Sequence, residues 1–175
     1  VNILAETRFL RLVQAGHWTY AQRPNSVGAI AILAVTPNRE IILIDQYRIP
    51  MGGRVIELPA GLVGDVPGNE RETLEQAARR ELLEEVGYEA EDIKVLIHGA
   101  SSAGITDERV HLVSASGLRR VAAGGGDSHE DIVVCHVPID SVEDWLANQV
   151  KAGKDVDLKV FAGLYFVHSQ YRNAR

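Results

Sequence analysis

Two rhythms of apolar and polar residues divide this chain, and a period of two runs through most of it. Residues 8–13 and 17–20 alternate on either side of Ala15-Gly16, which predicts a small antiparallel hairpin within residues 1–26. Residues 27–36 and 40–48 are β-rich runs joined by Pro37-Asn38-Arg39, a turn by composition. Both are too apolar for an exposed edge and are placed centrally. Shorter strands are expected at 55–58, 93–97, 109–114 and 132–138.

The rhythm turns helical at residues 72–88. Leu74, Gln76, Ala77, Ala78, Arg79, Leu82 and Leu83 are good helix formers, and Gly87 stands where a left-handed C-terminal cap belongs. Ala78, Leu82 and Val86 make one apolar stripe. Beside it run Ala77, Glu81 and Glu85, with Glu84 close to Glu81. Like charges crowded on one helix face destabilise it in isolation, so the row is either a solvated acidic face or a seat for cations. Two later helices are expected. One spans 140–152, capped by Asp140 or Ser141, with Trp145, Leu146 and Val150 inward. The other spans 158–171, with apolar residues at 160, 161, 164, 165 and 167. The run Gly124-Gly125-Gly126 reads as a mobile segment, and residues 173–175 as a frayed end.

Composition narrows the function. At 175 residues, 46% hydrophobic and 24% charged, the chain fits one soluble domain with a core of its own. A net charge of −6 argues against a nucleic-acid surface but not against a nucleotide, whose phosphates metal ions can reach. The single cysteine, Cys135, lies in an apolar run, as a small core residue does, and allows no disulfide within the chain. No signal-peptide pattern opens the chain and no run of eighteen apolar residues occurs, so a cytoplasmic location without membrane attachment is expected.

The full order of residues decides the acidic row. Glu72, seven residues, then Arg80-Glu81-Leu82-Leu83-Glu84-Glu85-Val86-Gly87-Tyr88 resembles the signature helix of the Nudix hydrolases, Gly-x5-Glu-x7-Arg-Glu-U-x-Glu-Glu-x-Gly-U with U apolar. Glu57-Leu58-Pro59-Ala60-Gly61 resembles the segment that opens the same box. One departure is clear: Gly61 and Glu72 are eleven positions apart instead of six, an insertion expected in the loop before the helix because Gly64, Pro67 and Gly68 are turn residues.

The resemblance implies an α/β fold, an α/β/α sandwich around a mixed central sheet, with residues 27–175 as the Nudix domain and 1–26 as an appended hairpin. It also implies dependence on Mg²⁺ or Mn²⁺, two or three ions when substrate is bound. Their ligands would be Glu81, Glu84, Glu85, the carbonyl of Ala60, and Glu130. Arg80 would orient a neighbouring carboxylate, with Glu84 in reach, and Glu72 would do likewise or complement the helix N-terminus. Gln46-Tyr47-Arg48 is similar to a segment that supplies an arginine to a diphosphate, making Arg48 the main candidate and Arg23 the second. Ser101-Ser102-Ala103-Gly104-Ile105-Thr106-Asp107-Glu108 resembles the Ser-Pro-Gly-x-Thr-(Asp/Ser)-Glu loop of ADP-ribose pyrophosphatases. Ser102, Gly104 and Glu108 match as substrate contacts, while Ala103 replaces the proline. That branch often carries Glu-x-Glu before a strand; here Glu130 matches the second position and Ser128 stands at the first. The general base is therefore Glu130, His129 or Glu108. Trp18 has two readings, stacking on a nucleobase or a packing or dimer contact.

The expected activity is hydrolysis of a nucleoside-diphosphate sugar, ADP-ribose first, to a nucleoside monophosphate and a sugar phosphate. The enzyme would work as a homodimer and without a nucleic-acid partner. A dinucleoside polyphosphate or nucleoside triphosphate as substrate, or a catalytically silent nucleotide-sugar-binding module, are the alternatives.

Overall fold

The computed structural model describes residues 1–24, 26–126 and 130–172. Three strands open the chain, β1 (Asn2–Glu6), β2 (Arg11–Ala15) and β3 (Trp18–Gln22), in an antiparallel meander. The sequence rhythm captured the β2–β3 hairpin, turned by Gly16 at φ 61°, but not β1, whose residues are all exposed. A strand without a buried face leaves little alternation to read.

Next come β4 (Ala29–Ala34), β5 (Glu40–Arg48), β6 (Gly53–Glu57), β7 (Ala60–Leu62) and α1 (Leu74–Val86). They are followed by β8 (Tyr88–Glu89), β9 (Asp92–Ala100), β10 (Arg109–Ser116), β11 (Arg119–Arg120) and β12 (Ile132–Pro138). Helix α2 (Val142–Lys151), β13 (Asp155–Val156) and α3 (Leu158–Arg172) close the chain. The expected mixed sheet is divided into two four-stranded mixed sheets, β7-β4-β10-β9 and β12-β5-β6-β13, with a small β11-β8 pair beside them. The division begins where β4 meets β5. Beyond the turn at Arg39 they share only the Val35–Ile41 bridge, and their far ends belong to different sheets.

Both central strands are buried on both faces, as their unbroken apolar runs require. Ile30, Ile32, Ile42 and Ile44 point into one core with Ala77, Ala78, Leu82 and Val86 of α1. Ala31, Leu33, Ile41 and Leu43 point into the other with Val142 and Leu146 of α2 and Val160, Leu164 and Val167 of α3. Helices on both sides of sheet therefore follow from the alternation alone. Burying each such aliphatic side chain is worth roughly 1.5–3 kcal/mol. Cys135 packs at the edge of the second core, half-buried, and burial pushes its thiol pKa up. The helical pattern overreached at Val150, Phe161 and Tyr165, which are exposed. No helix among the described residues is long and apolar enough to cross a membrane.

Candidate functional site

Helix α1 is set by its ends. Thr73 caps it in a reciprocal box with Gln76, and Gly87 closes it at φ 76°. The five-residue insertion lies in the loop between β7 and Thr73 and makes its own turns, Asn69 N–H to Val66 O at 2.9 Å and Glu72 N–H to Asn69 O at 2.9 Å. Glu72 therefore precedes the helix, buried, with its carboxylate turned to Arg80. Arg80 donates from Nε and Nη2 to the two Glu72 oxygens at 2.9 and 3.1 Å, and from Nη2 to Leu62 O at 3.0 Å. The Gly64 N–H also donates to Glu72, at 3.2 Å. The Arg80 bonds hold the Glu72 carboxyl below its ordinary pKa against the opposing effect of burial.

The third Arg80 nitrogen, Nη1, donates to Glu81 Oε1 at 2.6 Å and lies 3.5 Å from Glu84. Arg80 thus serves Glu72 and Glu81 far more than Glu84, whose side chain is 53% exposed. The reason lies in Glu72. It anchors the guanidinium fork on the N-terminal side, away from the i,i+4 position.

Glu81 and Glu85 face inward. A Cβ on Gly61 would fall on the Glu81 carboxylate, so only glycine permits this approach of β7 to α1. Glu85, 1% exposed, accepts a hydrogen bond from Ala60 N–H at 2.9 Å, its one donor among the described residues. Burial pushes Glu81 up to about 7, with Arg80 opposing, and Glu85 up to about 9, with the Ala60 N–H opposing. Among the described residues no three acidic, imidazole or thiol groups converge closely enough to hold a metal ion by themselves. The pair nevertheless fits a hard divalent cation: two buried carboxylates, one without any cationic partner at hydrogen-bond distance, approach β7 through a glycine that leaves room for nothing larger.

Glu81 lines an open cleft of about 1170 Å³ that is walled from both four-stranded sheets; Glu85, Glu84 and Arg80 are not part of its lining. The cleft brings together Ala60, Glu81, Arg23, Arg48, Glu108 and Glu130 from the expected set. Arg48 donates to both oxygens of the buried Glu57, at 2.6 and 2.9 Å. Arg23 pairs with Glu108 at 2.5 Å, and beside it Gln22 bonds Asp107 at 2.6 Å, so β3 is docked on the 101–108 loop of its own chain. The charge of Glu130 acts on Glu81, Glu85 and Arg48.

Three expected contacts do not line the cleft: Trp18, Ser102 and Gly104. Trp18 is exposed on the meander, tilted against His17. Ser102 accepts backbone bonds from Ile105 and Thr106 in a turn that carries Gly104 outward, and Ser101 takes the lining position instead. Ser128 and His129 lie outside the described residues. Sequence reasoning did not single out Glu57 as a site residue, although its place opening the box was the available signal. Asp65, in the insertion, also lines the cleft and lies 3.8 Å from Arg80. Nor was Gln46 singled out; its buried Oε1 has no partner among the described residues.

The three glycines differ from expectation. Gly125 and Gly126 donate to Glu85 O and Glu84 O at 2.7 and 3.1 Å, and a Cβ on Gly124 would strike the Val86 backbone. They seal the end of α1, satisfying carbonyls that a helix leaves unpaired. All three adopt positive φ, at 74°, 114° and 75°, which favours glycine, and at Gly124 close packing on α1 adds a second requirement.

Residues 24–155 match the NUDIX domain family. The chain belongs to the Nudix family. Among curated Nudix-like relatives it is 37% identical over 114 residues to the methanol dehydrogenase activator of Bacillus methanolicus, covering 65% of this chain and 59% of that protein. It is 38% identical over 143 residues to an ADP-ribose pyrophosphatase of Mycobacterium tuberculosis, covering 81% and 65%. The chain thus matches less than two thirds of the length of either relative. A solved structure of an ADP compounds hydrolase superposes with a TM-score of 0.74 at 21% identity, over 99% of this chain and 92% of that one. That likeness concerns the Nudix fold.

Proposed function

We propose that the chain is a divalent-metal-dependent pyrophosphohydrolase that cleaves a nucleoside-diphosphate sugar, ADP-ribose first among them, to a nucleoside monophosphate and a sugar phosphate. The observation that carries this reading is the buried Glu81–Glu85 pair, Glu85 bonded to Ala60 N–H and Glu81 lining a cleft that also holds Ala60, Arg48 and Glu130. Mg²⁺ or Mn²⁺ would be held by Glu81, Glu85, the Ala60 carbonyl and Glu130, with Glu84 acting from outside through water. Bound there, such ions neutralise diphosphate charge and make water acidic enough to attack at neutral pH.

The protein's own groups divide the remaining work. Arg80 fixes Glu81 through the Glu72 anchor. Arg48 offers the diphosphate a guanidinium already oriented by Glu57. Arg23 and Glu108 form the opposite wall, and Glu130 serves as ligand or as general base. The similarity to an ADP-ribose pyrophosphatase supports the choice of sugar nucleotide. The cleft also supplies two arginines for a diphosphate, Arg48 at the end of β5 and Arg23 just after β3.

A panel of ADP-ribose, ADP-glucose, GDP-mannose, NADH and ATP with Mg²⁺ tests the reading. Release of AMP and ribose phosphate from ADP-ribose is expected. Binding of a sugar nucleotide with no hydrolysis would make the chain a silent binding module, and preference for ATP would make it a triphosphatase. Two ions or three would follow from metal titration with substrate present. A homodimer is part of the proposal, with residues 1–26 as its contact segment. Ile3, Leu12 and Trp18 supply exposed apolar area on the meander. Light scattering at micromolar concentration decides it, a monomer mass being the contrary result. The proposed location is the cytoplasm.

A further inference from the structure

We propose that Arg54 and Asp131 form a positioning clamp that sets Glu130 against the Glu81–Glu85 pair; the inference rests on the reading of Glu130 as part of the hydrolytic site. Glu130 stands between two anchored stretches. On one side Gly125 and Gly126 are tied to the end of α1. On the other, Asp131 precedes the first residue of β12 and is held by three donors. Arg54 Nη1 donates to Asp131 Oδ2 at 2.9 Å, Arg54 Nη2 to Asp131 O at 3.3 Å, and Tyr47 N–H to the same carbonyl at 3.2 Å.

Arg54 is itself fixed from below. Its Nε donates to Asp45 Oδ1 at 2.8 Å and its Nη2 to Asp45 O at 2.6 Å, while Lys154 Nζ takes Asp45 Oδ2 at 2.7 Å. Asp45 is buried, so two cations on its two oxygens make a rigid foot in a low dielectric. The planar guanidinium carries that rigidity outward to Asp131, whose side chain is 68% exposed. A surface aspartate held this way, next to a cleft carboxylate whose charge acts on the α1 pair, has a use that strand pairing alone does not require. Lys154 extends the same brace to β13, whose Asp155 and Val156 line the cleft.

Arg54 and Asp131 are positioning residues, so their effect must run through Glu130. Amide hydrogen exchange on the metal-free protein reads the clamp without any turnover. In Arg54→Gln and Asp131→Asn, the Tyr47 amide, which donates to Asp131 O, is expected to exchange at least about tenfold faster, with the α1 amides unchanged. Unchanged exchange at Tyr47 in both variants would overturn the clamp whether or not the protein hydrolyses diphosphates. With ADP-ribose and Mg²⁺, Arg54→Gln should lower kcat by about 10- to 100-fold with KM nearly constant. Arg54→Lys should recover part of the loss. In a Glu130→Gln background Arg54→Gln should add nothing further. Losses that multiply in the double variant would show Arg54 acting elsewhere and overturn the proposal. If Glu130→Gln alone turns over normally, the reading of Glu130 fails instead. Asp131→Asn, at an exposed position, keeps the test open should Arg54→Gln not fold.

Discussion

Two buried glutamates stand at opposite ends of the same helix and are treated in opposite ways. Glu72 receives both arms of Arg80 and the Gly64 N–H, and its carboxyl is held below the ordinary range. Glu85 is as deeply buried, receives the Ala60 N–H, and is pushed up to about 9. A buried charge must be compensated, and only one of these is compensated by the protein itself. The first is an anchor that fixes the frame. The second, on the proposed reading, would take its compensation from a cation in solution. Arg80 joins the two, because the fork pinned on Glu72 also holds Glu81.

The contrast can be broken most sharply at Glu85. Glu85→Gln should lower kcat on ADP-ribose about 10³-fold, a loss of roughly 4 kcal/mol in transition-state stabilisation, while the metal-free fold becomes more stable. Near-normal turnover in that variant would misplace the metal site. Glu72→Ala should do the reverse, destabilising the protein by about 2 kcal/mol because the half-buried Arg80 fork loses two of its hydrogen bonds. Urea unfolding measures it, and a loss within about 0.5 kcal/mol, the range of an ordinary surface substitution, would deny the anchor.

The two carboxylates should also differ in pH dependence. Glu85 has a folded pKa above its unfolded value of 4.5, so the folded form binds the extra proton. Its contribution is fully present below that value and is lost as pH rises toward about 9. In metal-free protein the stability should therefore fall between pH 6 and 8, on the order of 1 kcal/mol per pH unit. Glu72, held below the ordinary range, contributes stability present above its unfolded pKa and lost as pH falls through the depressed one. Removing Glu72 should flatten the acid limb, and removing Glu85 the neutral one. The smallest effect belongs to Glu84, exposed and only loosely near Arg80: Glu84→Gln should cost under about tenfold in kcat, roughly 1 kcal/mol.

Most of the frame could be read before the structure. Residues 30–34 and 41–44 are apolar at every position, which demands two buried faces and hence helices on both sides. The helix pattern put Glu81 and Glu85 in a row with Ala77 beside the apolar stripe, and only the resemblance to the Nudix signature turned that row from a solvated face into a seat for cations. Sequence could not say that Glu72 would take Arg80 from Glu84, since that depends on how an inserted loop folds back. Nor could it place Ser102 and Gly104 outside the cleft, because a motif fixes residue order and not the direction of a turn. The glycines at 124–126 illustrate the same limit. Composition reads a glycine run as mobility, whereas here positive φ values fix a loop whose N–H groups bond the end of α1. Asp45, Arg54 and Asp131 left no sequence signal, because Asp131 is 77 residues from Arg54 and the three meet only through the pairing of β12 and β6 with β5.

Thermal unfolding of the wild-type protein and of Glu85→Gln at pH 8, with and without millimolar Mn²⁺, tests the contrast most directly. Binding to the folded state alone raises the melting temperature. Mn²⁺ should stabilise the wild type and leave Glu85→Gln nearly unmoved, and without metal the variant should melt above the wild type. Equal stabilisation of both proteins by Mn²⁺, or of neither, would contradict the assignment of Glu85 as the carboxylate that waits for a cation.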